Sequence, residues 1–446
     1  METNMQAKPT YGLVTAIAMI VGIVIGSGIY FKVDDILNFA GGNVWLGMLV
    51  IALGAVSIVF GSLSISELAL RSAASGGIFS YYERYIHPGL AASLGMFTAY
   101  VYLPTVIAVV TWVGANYTLG QGASLEAQIL LALFYLFVLT VINIFGRVVA
   151  GYFQSLSTMV KIIPLVLIAL LGLFWAGKGP SLPGDVDLVA PRNVGWGWLS
   201  GLVPLYFAYD GWTVVASIAP EVKSPKKNLP RALIAGPLII LVLYLLFFYG
   251  LNRILGPEFI MSTGNAAVGY AVSYLFGSAI GRALMVIVII SVLGVSNGMM
   301  LGTMRLPQAF ASRGWIRSEG FARIHPKYQI SVAASLSVGL VTMLWLGVHY
   351  LVMRYNLLPG SDISEITIVF NNTSFIFLYS TVLGLYRKGE VKRKLTGLFS
   401  PVLAIVGSLI LLVGSLMTNF VAVLCFMLFC LVFCLVAYAV YLKNQS

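Results

Sequence analysis

The chain has 446 residues, 59% of them hydrophobic and only 9% charged, with a mean hydropathy of +0.95. A soluble protein of this length carries roughly 25% charged residues, so the composition excludes soluble enzymes and soluble binding modules and selects an all-α polytopic membrane protein. The net charge of +11 raises nucleic acid as a partner, but the placement of the charges argues for a membrane instead.

About twelve apolar stretches are long enough to cross a hydrocarbon core of ~30 Å. They lie near residues 11–39, 43–69, 89–117, 125–146, 153–176, 194–219, 232–252, 283–304, 330–351, 363–386, 400–417 and 420–442. With both termini inside, 19 of the 26 lysines and arginines fall on the cytoplasmic side. Lys32, Lys178, Arg192, Arg253, Arg282 and Arg354 fall outside, and Lys161 lies within a span. Such asymmetry follows the positive-inside rule and orients the chain with N- and C-termini in the cytoplasm. The first stretch lacks a basic n-region and an A-x-A-like cleavage site and is too long for an h-region, so no cleavable signal peptide is expected.

The first span carries Gly26-Ser27-Gly28 where it should be most apolar. A helix broken there frees backbone groups that lipid cannot satisfy, which is tolerated only where the backbone lines an enclosed site. The second half would begin near Ile29, its N–H groups favouring an anion such as a carboxylate, while carbonyls around Val24 suit an ammonium group. A small-residue packing patch through Gly22 and Gly26 is the competing reading. At the end of span two, Glu67 four residues before Arg71 makes an ordinary helix pair. Span five places Lys161 about eight residues, roughly 12 Å, from the cytoplasmic face, where it could bond unwound carbonyls in the place of a sodium ion or snorkel outward.

Span six is interrupted in turn, at Phe207-Ala208-Tyr209-Asp210-Gly211-Trp212. Two interruptions in corresponding positions point to a transporter's binding site, and a carboxylate at this depth is functional by default. Asp210 could face a substrate amine, take a proton, pair with Lys161, or cap the second half-helix. Residues 257–281 are too polar and glycine-rich to span and read as an extracellular loop with a short helix. His87, His325 and His349 fall in loops or at span ends, leaving no mid-membrane histidine relay. Asn371 and Asn372 read as interhelical glue with one facing inward. Cys425, Cys430 and Cys434 share the last span without accompanying histidine or carboxylate, so no metal or disulfide is expected.

The spans divide as five, five and two. Sets of odd number with a break in the first member of each imply an inverted repeat, residues 11–177 and 194–388, followed by two peripheral helices at 396–442 within a single membrane domain. With Ile25-Gly-Ser-Gly-Ile29, Phe207–Trp212, the segment from Glu221 to Arg231, Lys161 and Ser364-Glu365-Ile366 in view, the chain resembles the L-type amino acid transporter family of the amino acid–polyamine–organocation superfamily. The Phe207–Trp212 string is most similar to that of its bacterial serine/threonine exchangers.

The resemblance implies sodium-independent exchange of small neutral amino acids by alternating access in the cell membrane, with no cofactor and no covalent chemistry. It places carboxylate binding at Ser27 and Gly28 and amine binding at carbonyls near Val24, Phe207 and Asp210, with Gly26 and Ala208 also counted in the substrate site. It puts Lys161 at a vacated sodium site with Ser296 and Asn297 beside it. Many animal members have a small residue where Asp210 stands. They also carry a cysteine between spans three and four that bonds a glycoprotein; residues 117–126 have none here, so no disulfide-linked heavy chain is expected. A proton-coupled symporter, or a receptor or channel without stoichiometric transport, are the alternatives.

Overall fold

A computed structural model describes residues 12–71, 77–120, 122–184, 186–213, 222–359 and 361–445. Among these, nine helices are long and apolar enough to cross a membrane. They cover expected spans two to four and seven to twelve. The other three expected spans are each assembled from shorter pieces.

Span one consists of Leu13–Val24, Ser27–Phe31 and Val33–Phe39, separated at Gly26 and at Lys32. Span six comprises a 3-10 segment, Gly195–Gly201, and the helix Leu202–Tyr209, which ends in a turn at Asp210. Its expected second half lies mostly within 214–221, outside the described residues. Span five, read as continuous over 153–176, instead consists of Arg147–Val160 and Ile162–Leu173. Pro164 explains this correction: its ring excludes the carbonyl of the residue four before it and it has no N–H to donate, so the ladder fails at Val160 and Lys161.

The chain from Ala267 to Thr303 is helical on both sides of Gly277, whose non-helical φ of +75° and ψ of 174° suit a residue without Cβ and separate two helices. The part long and apolar enough to span begins at Ala279, close to the expected start of span eight. Residues 257–281 hold the expected short helix, Pro257–Thr263, and a second that starts at Ala267.

Pro88–Leu119 is the central strut, with 89% of its apolar window buried, against 22% in Phe420–Gln445, whose Leu428, Val432 and Leu435 face outward. A π-helical turn, Thr98–Tyr102, interrupts the strut just before Pro104. Pro104 cannot donate to the Tyr100 carbonyl, and the Trp345 indole N–H takes that carbonyl at 2.8 Å. Around the strut pack Ala267–Thr303, Leu125–Phe145 and Val332–Arg354. Pro225–Leu255 joins Leu13–Val24, Val44–Arg71 and Ile162–Leu173. The last contact is backbone on backbone: a Cβ on Gly172 would overlap the Gly250 Cα. Cys425 is exposed while Cys430 and Cys434 are buried, all three as free thiols.

Candidate functional site

The first interruption has a defined shape. Ile25 is extended (φ −69°, ψ 105°) although its N–H still bonds the Val21 carbonyl, and Gly26 takes φ −149°, ψ −141° before the chain turns helical again at Ser27. The second is built alike. Asp210 is extended (φ −62°, ψ 152°), and Gly211 has φ +98°, a conformation that favours glycine.

The two breaks meet. A Cβ on Gly28 would overlap the Ala208 Cα, and one on Gly26 would overlap the Val295 Cγ2. Both glycines therefore serve close packing, and they also line a cavity. Its backbone side is Val24, Gly26 and Gly28; Val106, Val110, Val295 and Met299 form apolar walls, and Phe207 and Asp210 complete it. At about 10 Å³ it is at the lower limit for one water molecule. Ala208 lies behind this surface. Ser27 opens the Ser27–Phe31 helix, but its side chain is outside the described set.

Tyrosines, read in the sequence as part of apolar runs, organise the breaks. The Tyr244 hydroxyl donates to the Ala208 carbonyl at 2.7 Å and lies 3.3 Å from the Val24 carbonyl, spanning both interruptions from Pro225–Leu255. The Tyr102 hydroxyl, delivered by the π turn, reaches both Asp210 carboxylate oxygens, at 2.5 and 2.7 Å. Asp210 is thus held by a phenol, not by Lys161. Asn372 is buried and donates to the Ile368 carbonyl within its own helix.

Lys161 is 1% exposed, which removes the snorkelling alternative. It sits at the interruption of span five, and its carbonyl accepts from the Tyr30 hydroxyl at 2.7 Å, tying that interruption to the helix after Gly26. Ser296 and Asn297 are also fully buried. The Thr111 hydroxyl donates to Ser296, while Asn297 accepts from Asn143 and donates to the Ala150 carbonyl. These bonds join span eight to spans three, four and five.

A second polar cluster was not foreseen. Lys32, placed in the outside set, is 3% exposed. Its ammonium lies 3.0 Å from Asp362, 2.8 Å from Glu365 and 3.2 Å from Asp35, and 5.3 Å above the Phe207 ring. Asp362 and Glu365 simultaneously form the capping box of Ile363–Arg387: Asp362 accepts the Ser364 and Glu365 N–H groups, and Glu365 accepts the Asp362 N–H. His349, near the end of Val332–Arg354 as expected, is fully buried and edge-on to Trp112 at 4.7 Å. The Ser364-Glu365 string was visible in the sequence, but its partner was not, since 330 residues separate Lys32 from Asp362.

At the opposite end Glu67 pairs with Arg71 at 2.5 Å, as its spacing implies, and also accepts from the Thr396 hydroxyl. Arg71 reaches the Glu390 carbonyl at 2.8 Å.

The amino acid permease family profile matches residues 11–446. The chain is 28% identical over 425 residues to the serine/threonine exchanger SteT of Bacillus subtilis, covering 92% of each chain. It is 30% identical over 359 residues to the human large neutral amino acids transporter small subunit 2, covering 76% of this chain and 64% of the relative. It is 24% identical over 424 residues to the mouse b(0,+)-type amino acid transporter 1, covering 92% of this chain and 82% of the relative. These relatives are transporters rather than enzymes, and the family match spans all but the first ten residues. The chain belongs to the amino acid permease family of multi-pass membrane transporters.

Proposed function

We propose that the protein is a sodium-independent exchanger of small neutral L-amino acids, serine, threonine and alanine foremost, working by alternating access across the cell membrane. The observation that carries this reading is the meeting of two helix breaks in one cavity. The N–H groups after Gly26 suit an α-carboxylate, and the unwound carbonyls near Val24 and Phe207 suit an α-ammonium. The short valines and Met299 leave room for only a small side chain once the cavity opens. Lys161, buried at a third interruption, supplies a fixed positive charge where a coupling cation would otherwise be needed.

In this reading the chain forms twelve spans as two inverted five-helix sets and a peripheral pair, with both termini cytoplasmic. The Lys32 cluster is then extracellular and closed, joining span one to span ten above Phe207. No disulfide-linked partner is required, since the cysteines all lie in the last helix, away from residues 117–126.

Counterflow in proteoliposomes tests the proposal: labelled serine should enter only when amino acid is inside, with or without sodium. Lys161→Ala should lower the exchange rate. Uptake into empty vesicles that collapses on adding a protonophore would instead support proton-coupled symport, for which Asp210 is the carboxylate inside the cavity.

A further inference from the structure

Five basic side chains fall within eight residues after the Ile363–Arg387 helix begins its last turn: Arg387, Lys388, Lys392, Arg393 and Lys394, all exposed. The ion pairs found among the described residues do not include them. The segment is not a loose tail. Gly389 turns it at φ +78°, the Glu390 and Val391 N–H groups both donate to the Leu385 carbonyl, and Val391 is buried.

Directly after the charges comes a π-helical lead-in, Leu395–Phe399, with Leu395 and Phe399 each 55% exposed. A compact cationic turn lying against an outward apolar surface sits where a bilayer places its headgroups above its acyl chains. Topology alone asks for basic residues at this end of the bundle, but not for five on one fixed turn.

We propose that this turn is a binding site for anionic phospholipid: the headgroup on Lys392, Arg393 and Lys394 with Arg387 and Lys388 beside them, the acyl chains along Leu395 and Phe399. Polybasic membrane-adjacent segments attract anionic lipid by about 1 kcal/mol per charge, or about fivefold. The turn is also wired to the bundle. Arg71 at the end of Val44–Arg71 donates to the Glu390 carbonyl, and Thr396 donates to Glu67. Headgroup binding therefore stiffens the junction of spans two, ten and eleven, whichever amino acids the protein carries.

The full chain is reconstituted in nanodiscs of phosphatidylcholine alone and of an equimolar mixture with phosphatidylglycerol. Thermal unfolding and lipid adducts retained in native mass spectrometry are compared. The anionic mixture should raise the midpoint and leave bound phosphatidylglycerol, both suppressed by high salt. Lys392→Gln/Arg393→Gln/Lys394→Gln should weaken binding roughly a hundredfold, three charges at about fivefold each, and abolish the shift. Lys392→Arg/Lys394→Arg should keep it, as should Arg323→Gln/Lys327→Gln on a different basic loop. An unchanged shift in the triple variant, or equal loss in the Arg323/Lys327 control, overturns the assignment. Neither readout depends on transport, so failure here is separate from failure of the exchange reading.

Discussion

Gly26 and Gly28 look equivalent in the sequence, yet their surroundings differ. A side chain on Gly28 meets backbone at Ala208, whereas one on Gly26 meets only a side-chain methyl of Val295. Overpacking costs about 1–3 kcal/mol, most where nothing can yield. Gly28→Ala should therefore lower the thermal midpoint and substrate affinity more than Gly26→Ala, read by unfolding in detergent and competition for counterflow. Equal losses would mean that the two breaks do not touch as described. Asp210→Asn preserves an oxygen for the Tyr102 hydroxyl while removing the charge. Hydrogen bonds to charged groups contribute about 1.5–3 kcal/mol, so weakening the Tyr102 bond should lower the thermal midpoint, read by unfolding in detergent, and loosen the second break enough to lower substrate affinity. The presence of a mid-membrane carboxylate was legible because apolar context makes it conspicuous. Its partner was not, because a tyrosine inside a hydrophobic run gives no sign of where its hydroxyl points.

At the scale of elements, the interruptions are held by neighbours rather than by their own residues. Tyr244 on Pro225–Leu255 donates to the Ala208 carbonyl and sits beside that of Val24. Tyr244→Phe leaves a buried carbonyl unpaired at a cost of about 1–3 kcal/mol. Exchange should slow and the thermal midpoint fall; unchanged transport would show that the breaks do not need the tether. The breaks at Gly26 and Asp210 could be located from glycine and charge in apolar runs. The third, at Lys161, had its signal in Pro164, but an apolar stretch of spanning length concealed it. Residues 257–281 read as non-spanning from their glycine and polar content, and breaks at Gly264 and Gly277, both at positive φ, divide them into short helices.

For the whole molecule, the buried Lys32 cluster fastens the helix after Gly26 to the start of Ile363–Arg387. Removing one member of a buried ion pair costs about 3–5 kcal/mol because the partners are left charged and unpaired. Only the closed arrangement bears this cost if opening exposes the cluster to water. Lys32→Gln should thus favour the form open at that end. In a background with Cys425, Cys430 and Cys434 replaced by serine, Val106→Cys should be labelled several-fold faster by an impermeant thiol reagent added on the Lys32 side. Equal labelling rates would make the cluster a strut rather than a gate.

By itself the sequence determined the membrane class, most of the spans, and the two places where the backbone leaves its helix, because lipid penalises every unpaired polar group and so makes exceptions to apolarity readable. Only the tertiary structure decided what those exceptions face. Tyr102 on Asp210, Tyr244 across both breaks and Lys32 among its carboxylates are contacts between helices distant in the chain. Helical periodicity records which side of a span is apolar; the partner across an interface is set by how the spans pack.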